Sequence, residues 1–136
     1  METVFFYGLF MDADLLREKH LNPSSPIIGY VEGYGLRIGE RATLVPSSGE
    51  RTYGTVMQLT REEIATLYSG DGVEDYQPVR MTIVSMEGNH IPAKSYLLPA
   101  SMLSGRNRDY AKSLAMIAKK TGLEADYITE IDKWAN

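Results

Sequence analysis

The feature that most constrains this chain is its first apolar run, Thr3-Val4-Phe5-Phe6-Tyr7, which halts at Gly8. A run without polar alternation reads as a strand buried on both faces, so other elements must cover it on two sides. Glycine at its end serves a turn, or lets the backbone come close to a ligand without a β-carbon in the way. A helical pattern follows almost at once. Asp12 or Asp14 can cap it, Leu15 and Leu16 give it an apolar side, and it runs to Lys19-His20.

Beyond a loop at Asn22-Pro23-Ser24-Ser25-Pro26, strand pieces are expected at 27–31, 35–38 and 42–45, broken by glycines and then by the turn cluster Pro46-Ser47-Ser48-Gly49. In the next strand, residues 51–59, alternation puts Tyr53, Thr55, Met57 and Leu59 on one face and Thr52, Val56 and Gln58 on the other. Thr60 with Glu63 three residues on forms a capping box for a short helix through Ile64 and Leu67. An acidic, glycine-containing loop, Gly70-Asp71-Gly72-Val73-Glu74-Asp75-Tyr76, leads to a hairpin over 79–86 and 91–98, turning at Glu87-Gly88-Asn89. Two helices end the chain. Asn107 caps the first, striped by Tyr110, Leu114, Ile117 and Ala118 and stopped at Gly122. Tyr127, Ile128, Ile131 and Trp134 stripe the second. This order predicts an α+β fold: one domain over residues 1–136, with a mainly antiparallel or mixed sheet curling towards a barrel.

Composition narrows the function. With 14 Lys and Arg against 18 Asp and Glu, the formal net charge is -4, which argues against a nucleic-acid partner. No apolar stretch reaches the ~18 residues of a membrane span, and no signal peptide is legible at the N-terminus. There is no cysteine, so disulfides, thiolate nucleophiles and Cys-based zinc sites are absent together, and the cytoplasm is the expected compartment. His20 and His90 are read as unrelated surface residues, so neither a metal nor another cofactor is expected. Gly33-Tyr34-Gly35 with Gly39 has the wrong spacing and no following helix for a dinucleotide fingerprint, and no GxSxG elbow exists for a serine nucleophile.

Two features remain. Amides just past Gly8 precede any helical partner and can hold a carboxylate or a developing oxyanion. A carboxylate from the 70–76 loop can serve as base. Together they are the least equipment for attack of an amine on an amide carbonyl. Read without function, Gly8 merely turns the chain and the carboxylates are solvated.

Taken in order, these motifs resemble the gamma-glutamylcyclotransferase-like family over nearly the whole chain. The resemblance rests on Tyr7-Gly8-Leu9-Phe10-Met11, on Pro26 onward to Ala42-Thr43-Leu44-Val45-Pro46, and on the strand Thr52-Tyr53-Gly54-Thr55-Val56-Met57. It continues through Leu67-Tyr68-Ser69-Gly70-Asp71-Gly72 into Val73-Glu74-Asp75-Tyr76, then through the helix from Tyr110 to Gly122-Leu123 and through Tyr127-Ile128. It implies a small mixed β-barrel flanked by helices and a reaction in which the α-amino group of a small γ-glutamyl compound attacks its own γ-carbonyl, releasing 5-oxoproline and an amine. It also implies that Tyr7, Gly8, Leu9 and Phe10 bind substrate and that a carboxylate acts as base, with Tyr76, and then Tyr96, next along the pocket. The chain departs from the family pattern where Leu9 and Phe10 replace polar residues, where Tyr68 replaces an aspartate, and where Asp71 replaces the glutamate of a Glu-Gly pair. The base is therefore Asp71 by position or Glu74 by length. The alternative is a non-catalytic module on the same scaffold, binding a small carboxylate ligand or a protein partner; an unrelated hydrolase of this fold is a third reading.

Overall fold

The computed structural model describes residues 1–70 and 72–136. The described elements are β1 (Glu2–Phe6), α1 (Ala13–Glu18), β2 (Ile27–Ile38), β3 (Ala42–Leu59), α2 (Arg61–Leu67), β4 (Gln77–Ser85), β5 (His90–Leu97), α3 (Arg108–Thr121) and α4 (Ala125–Lys133). The strands close a barrel in the order β1-β3-β2-β4-β5. Closure makes the barrel mixed: β1 runs antiparallel to β3 but parallel to β5, meeting it at Val4 and Lys94. That explains the unalternating first strand. Val4, Phe5 and Phe6 are all buried, because a strand lying between the barrel interior and flanking helices has no wet side.

Local signals fix several element ends. Asp12, rather than Asp14, caps α1 by accepting the Asp14 N–H at 3.0 Å. Both halves of the Thr60–Glu63 capping box form on α2. Asn107 caps α3 through the Tyr110 N–H at 2.9 Å, and Gly122 ends it in the left-handed region with φ 96°. Trp134 falls at the C-cap of α4 and stays 38% exposed, so it drops out of the apolar stripe expected of it.

The glycines around 33–39 do not break the strand. β2 is continuous over 27–38, with a register shift between Glu32 and Tyr34. Opposite it, the expected turn at Pro46–Gly49 is absorbed into β3: Tyr34 pairs Pro46 while Glu32 pairs Arg51. Between those two pairs β3 sets residues 47–50 against Gly33 alone, with Gly49 in the left-handed region at φ 85°, so the turn residues make an irregular excursion inside the strand rather than ending it. Alternation along 51–59 is likewise obscured, since Thr52 and Val56 on one face are as buried as Tyr53, Thr55 and Met57 on the other. The second face is covered: the Tyr53 ring packs 5.1 Å from that of Tyr127 on α4, and the Thr55 hydroxyl donates to the Met11 carbonyl at 3.0 Å.

At Gly54 the chain passes so close to β1 that an added Cβ would collide with the Phe6 carbonyl oxygen. Only glycine permits that approach.

Candidate functional site

The site is built outward from the end of β1. Past Gly8 the chain makes a single 3-10 turn, Leu9–Met11, whose first internal bond is the Met11 N–H to the Gly8 carbonyl at 3.0 Å. The Leu9 and Phe10 amides lie ahead of that bond, and Gly8 has no side chain with which to cap them. Gly8 itself has extended dihedrals (φ -109°, ψ -154°), so backbone conformation does not demand glycine here. Proximity does. A Cβ on Gly8 would sit 2.6 Å from the Tyr110 hydroxyl oxygen of α3.

The facing wall comes from the segment after α2. Tyr68 ends that helix, and Gly72, in the left-handed region at φ 87°, reverses the chain. The segment is tied to the tip between β2 and β3. The Tyr76 hydroxyl donates to the Ala42 carbonyl at 2.5 Å, and Arg41 Nη1 donates to the Gly72 carbonyl at 3.2 Å and to Asp75 Oδ2 at 3.1 Å. Between the two walls lies a cavity of about 230 Å³, lined by residues 5–10, by Glu40 to Ala42, by Tyr68, Gly72, Val73 and Tyr76, and by Tyr96 and Tyr110.

Its surface is mostly aromatic. Tyr68 stacks on Tyr96 with centroids 4.2 Å apart, and Phe10 meets Tyr68 edge-on at 5.9 Å. The buried Tyr7 hydroxyl donates to the Tyr96 carbonyl at 2.6 Å. Burial pushes the phenols of Tyr7, Tyr68 and Tyr110 well above the ordinary tyrosine range, and neighbouring phenols push them further. Tyr76 rises to about 12, again by burial, with the Arg41 cation pulling the other way. All of these stay neutral near pH 7. They can donate hydrogen bonds to a ligand, and they cannot serve as bases.

The structure brings together Tyr7, Gly8, Leu9, Phe10 and Tyr76, which line one cavity along with Tyr96. Glu74 is exposed and is not among the residues on the cavity wall. Asp71 lies outside the described residues; its chain neighbours Gly72 and Val73 are on the wall. His20 and His90 are both exposed. Among the described residues, no three of His, Asp and Glu come close enough to hold a metal ion. Nor is any described helix long and apolar enough to cross a membrane.

Sequence reasoning missed Glu40 and Arg41 on the cavity wall. They sit on the short tip between Ile38 and Ala42, where charged residues look like any solvated turn. Tyr110 was legible only as part of a helix stripe.

A family model described as the AIG2-like family matches residues 51–131. Gamma-glutamylcyclotransferase of Bos taurus is 29% identical over 91 residues, covering 65% of this chain and 48% of that protein. The Homo sapiens protein of the same name is 28% identical over the same shares, so the chain spans about half the length (48%) of these curated relatives. Among solved structures, one of a gamma-glutamyl cyclotransferase superposes with a TM-score of 0.79 at 19% identity, covering 96% of this chain and 85% of that one. A yeast gamma-glutamyl cyclotransferase specific to glutathione gives 0.67 at 12% identity, covering 99% and 95%. At such identities the likeness speaks for the fold alone.

Proposed function

Because the chain belongs to the AIG2-like family, we propose that it is a cyclotransferase-like enzyme releasing 5-oxoproline from a small γ-glutamyl amine, amino acid or peptide. One observation carries the reading. The turn after β1, whose amides get no side-chain cap from Gly8, and the segment flanking Asp71 form opposite walls of the same cavity.

The chemistry is a ring closure. The substrate's α-ammonium first gives a proton to a carboxylate on the 70–76 segment. Asp71 holds the matching position, and Glu74 has the longer reach. The freed amine attacks the γ-carbonyl, forming the new C–N bond. Negative charge gathers on the carbonyl oxygen, where the Leu9 and Phe10 amides and the neutral phenols are suited to receive it. As the tetrahedral carbon collapses, the carboxylic acid gives its proton to the departing nitrogen and that C–N bond breaks; the regenerated carboxylate then takes the second proton from the ring nitrogen and passes it to the amine, which leaves as an ammonium. No water, metal or redox partner enters the balance. The cavity's part is to hold a flexible glutamyl chain folded, and aromatic walls suit its methylenes.

The test is to incubate the protein with a panel of γ-glutamyl amino acids and amines and to detect 5-oxoproline by mass spectrometry. Removing the base should lower turnover by about 10²–10⁴-fold. Loss in Asp71→Asn with retention in Glu74→Gln names Asp71, and the converse names Glu74. Glu40→Gln is the control for the described carboxylate on the wall. Absence of product from every substrate, with tight ligand binding retained, establishes the binding-module reading instead, which the exposure of Glu74 favours.

A further inference from the structure

Among the described residues lining the cavity, Arg41 is the one cation and Glu40 the one anion. Nothing in the cyclisation above uses Arg41. We propose that it is a specificity-determining residue that anchors the α-carboxylate of the γ-glutamyl group, so the site accepts only substrates in which that carboxylate is free.

The first argument is rigidity. Arg41 sits on the tip joining β2 to β3, and the tip is held along its length. The Gly39 N–H donates to the Arg41 carbonyl at 3.0 Å, and the Glu40 N–H to the Ser104 carbonyl at 2.7 Å. Asn107 Nδ2 donates to the Glu40 carbonyl at 3.2 Å, and the Ala42 carbonyl takes the Tyr76 hydroxyl. A side chain launched from so fixed a backbone loses little freedom when it meets a ligand.

The second argument is spare capacity. Among the described residues, one nitrogen, Nη1, makes both bonds of the guanidinium, to Asp75 and to Gly72. Nε and Nη2 donate to none of the described residues. A guanidinium fork matches a carboxylate two nitrogens at a time, so the described contacts use only half of the group. Its partner does not hold it firmly: the Asp75 side chain is 42% exposed and that of Arg41 29%, and ion pairs open to water are weak.

The third argument is position, and it rests on the function proposed above. In a γ-glutamyl group the ammonium and the carboxylate hang from the same carbon. Arg41 grips the 70–76 segment at Gly72. If the ammonium gives its proton to a carboxylate on that segment, the α-carboxylate is brought to the side of the cavity where Arg41 stands. A ligand bearing both charges also suits a wall that presents Arg41 beside Glu40.

Calorimetry with two rings tests this. 5-oxoproline carries the carboxylate; 2-pyrrolidinone is the same lactam without it. The full chain should bind 5-oxoproline about 10–100-fold more tightly, the range for a charge-assisted hydrogen bond. Arg41→Gln should remove that difference while leaving 2-pyrrolidinone binding unchanged, and Arg41→Lys should restore part of it. Asp75→Asn frees the guanidinium and should keep or raise the preference. If Arg41 only ties the loop down, Asp75→Asn and Arg41→Gln will weaken both rings alike. That result overturns the proposal, as does equal binding of the two rings or binding of neither. Turnover measured alongside separates the two ideas. Turnover without Arg41 dependence sinks the anchor alone, and carboxylate-dependent binding without turnover sinks the catalytic reading alone.

Discussion

Gly8→Ala offers a sharp test of how the site is assembled. The new β-carbon would stand 2.6 Å from the Tyr110 hydroxyl oxygen, roughly 1 Å inside the ~3.5 Å at which non-bonded heavy atoms attract. Gly8 has extended dihedrals open to any residue, so the clash is the whole objection. Tyr110 is half-buried against the core and cannot swing aside freely. Overpacking of this kind costs about 1–3 kcal/mol. Remove the oxygen and the next atom, Cζ, lies at 3.9 Å, an ordinary contact. In a Tyr110→Phe background, Gly8→Ala should therefore turn neutral or stabilise by about 0.4–1 kcal/mol, because alanine restricts the unfolded chain. Urea denaturation of the four proteins in the cycle measures this. The expected coupling is the difference between the two backgrounds, about 1–4 kcal/mol, reaching the upper end of what touching residues show. If Gly8→Ala destabilises equally in both backgrounds, the reasoning fails, and something other than the Tyr110 hydroxyl requires glycine. If the substitution is harmless in the natural background, the packing of α3 over the turn is looser than described.

Other outcomes follow from the same contacts. Gly54→Ala drives a β-carbon into a backbone carbonyl that cannot rotate away, so it should destabilise by about 3 kcal/mol or more, read by thermal melting; a loss under 1 kcal/mol would contradict the close approach of β1 and β3. Hydrogen bonds from Arg37 and Ser47 hold the Glu50 carboxyl down at about 2 against its ordinary 4.5. Its contribution is thus present above pH 4.5 and lost as pH falls through about 2. With the Glu50 side chain 44% exposed, that contribution is about 1 kcal/mol or less, and Glu50→Gln should flatten this acid limb of a pH-stability profile. Tyr76 gives the opposite limb. Its phenol is raised from 10.0 to about 12, so its stabilisation is complete below pH 10.0 and fades as pH climbs through about 12; Tyr76→Phe should remove that part of the alkaline decline.

How much of this was legible in advance follows from sequence distance. The Thr60–Glu63 box, the Asn107 cap and the Gly122 stop are each decided by groups three or four residues apart, and all were readable from residue type and spacing. The double burial of β1 was readable too, since no polar residue interrupts it. The motif order pointed to the barrel and to Tyr7 through Phe10. Turn chemistry at Pro46–Gly49 marked an excursion, with residues 47–50 unpaired against β2 and Gly49 at φ 85°, but not the strand end expected there, because pairing with β2 resumes on both sides.

The sequence by itself therefore determined where α2 and α3 begin, where α3 ends and that the first strand is covered on both faces, for those depend on hydrogen bonds and apolar patterning within a few residues. Only the tertiary structure decided what faces the cavity. Tyr110 meets Gly8 across more than a hundred residues of chain, and Arg41 meets Gly72 across about thirty. Such meetings depend on strand register and on barrel closure through the parallel β1–β5 contact. A one-residue slip in register would turn the strand side chains on the cavity wall, Tyr96 of β5 among them, to the other face without altering any local signal.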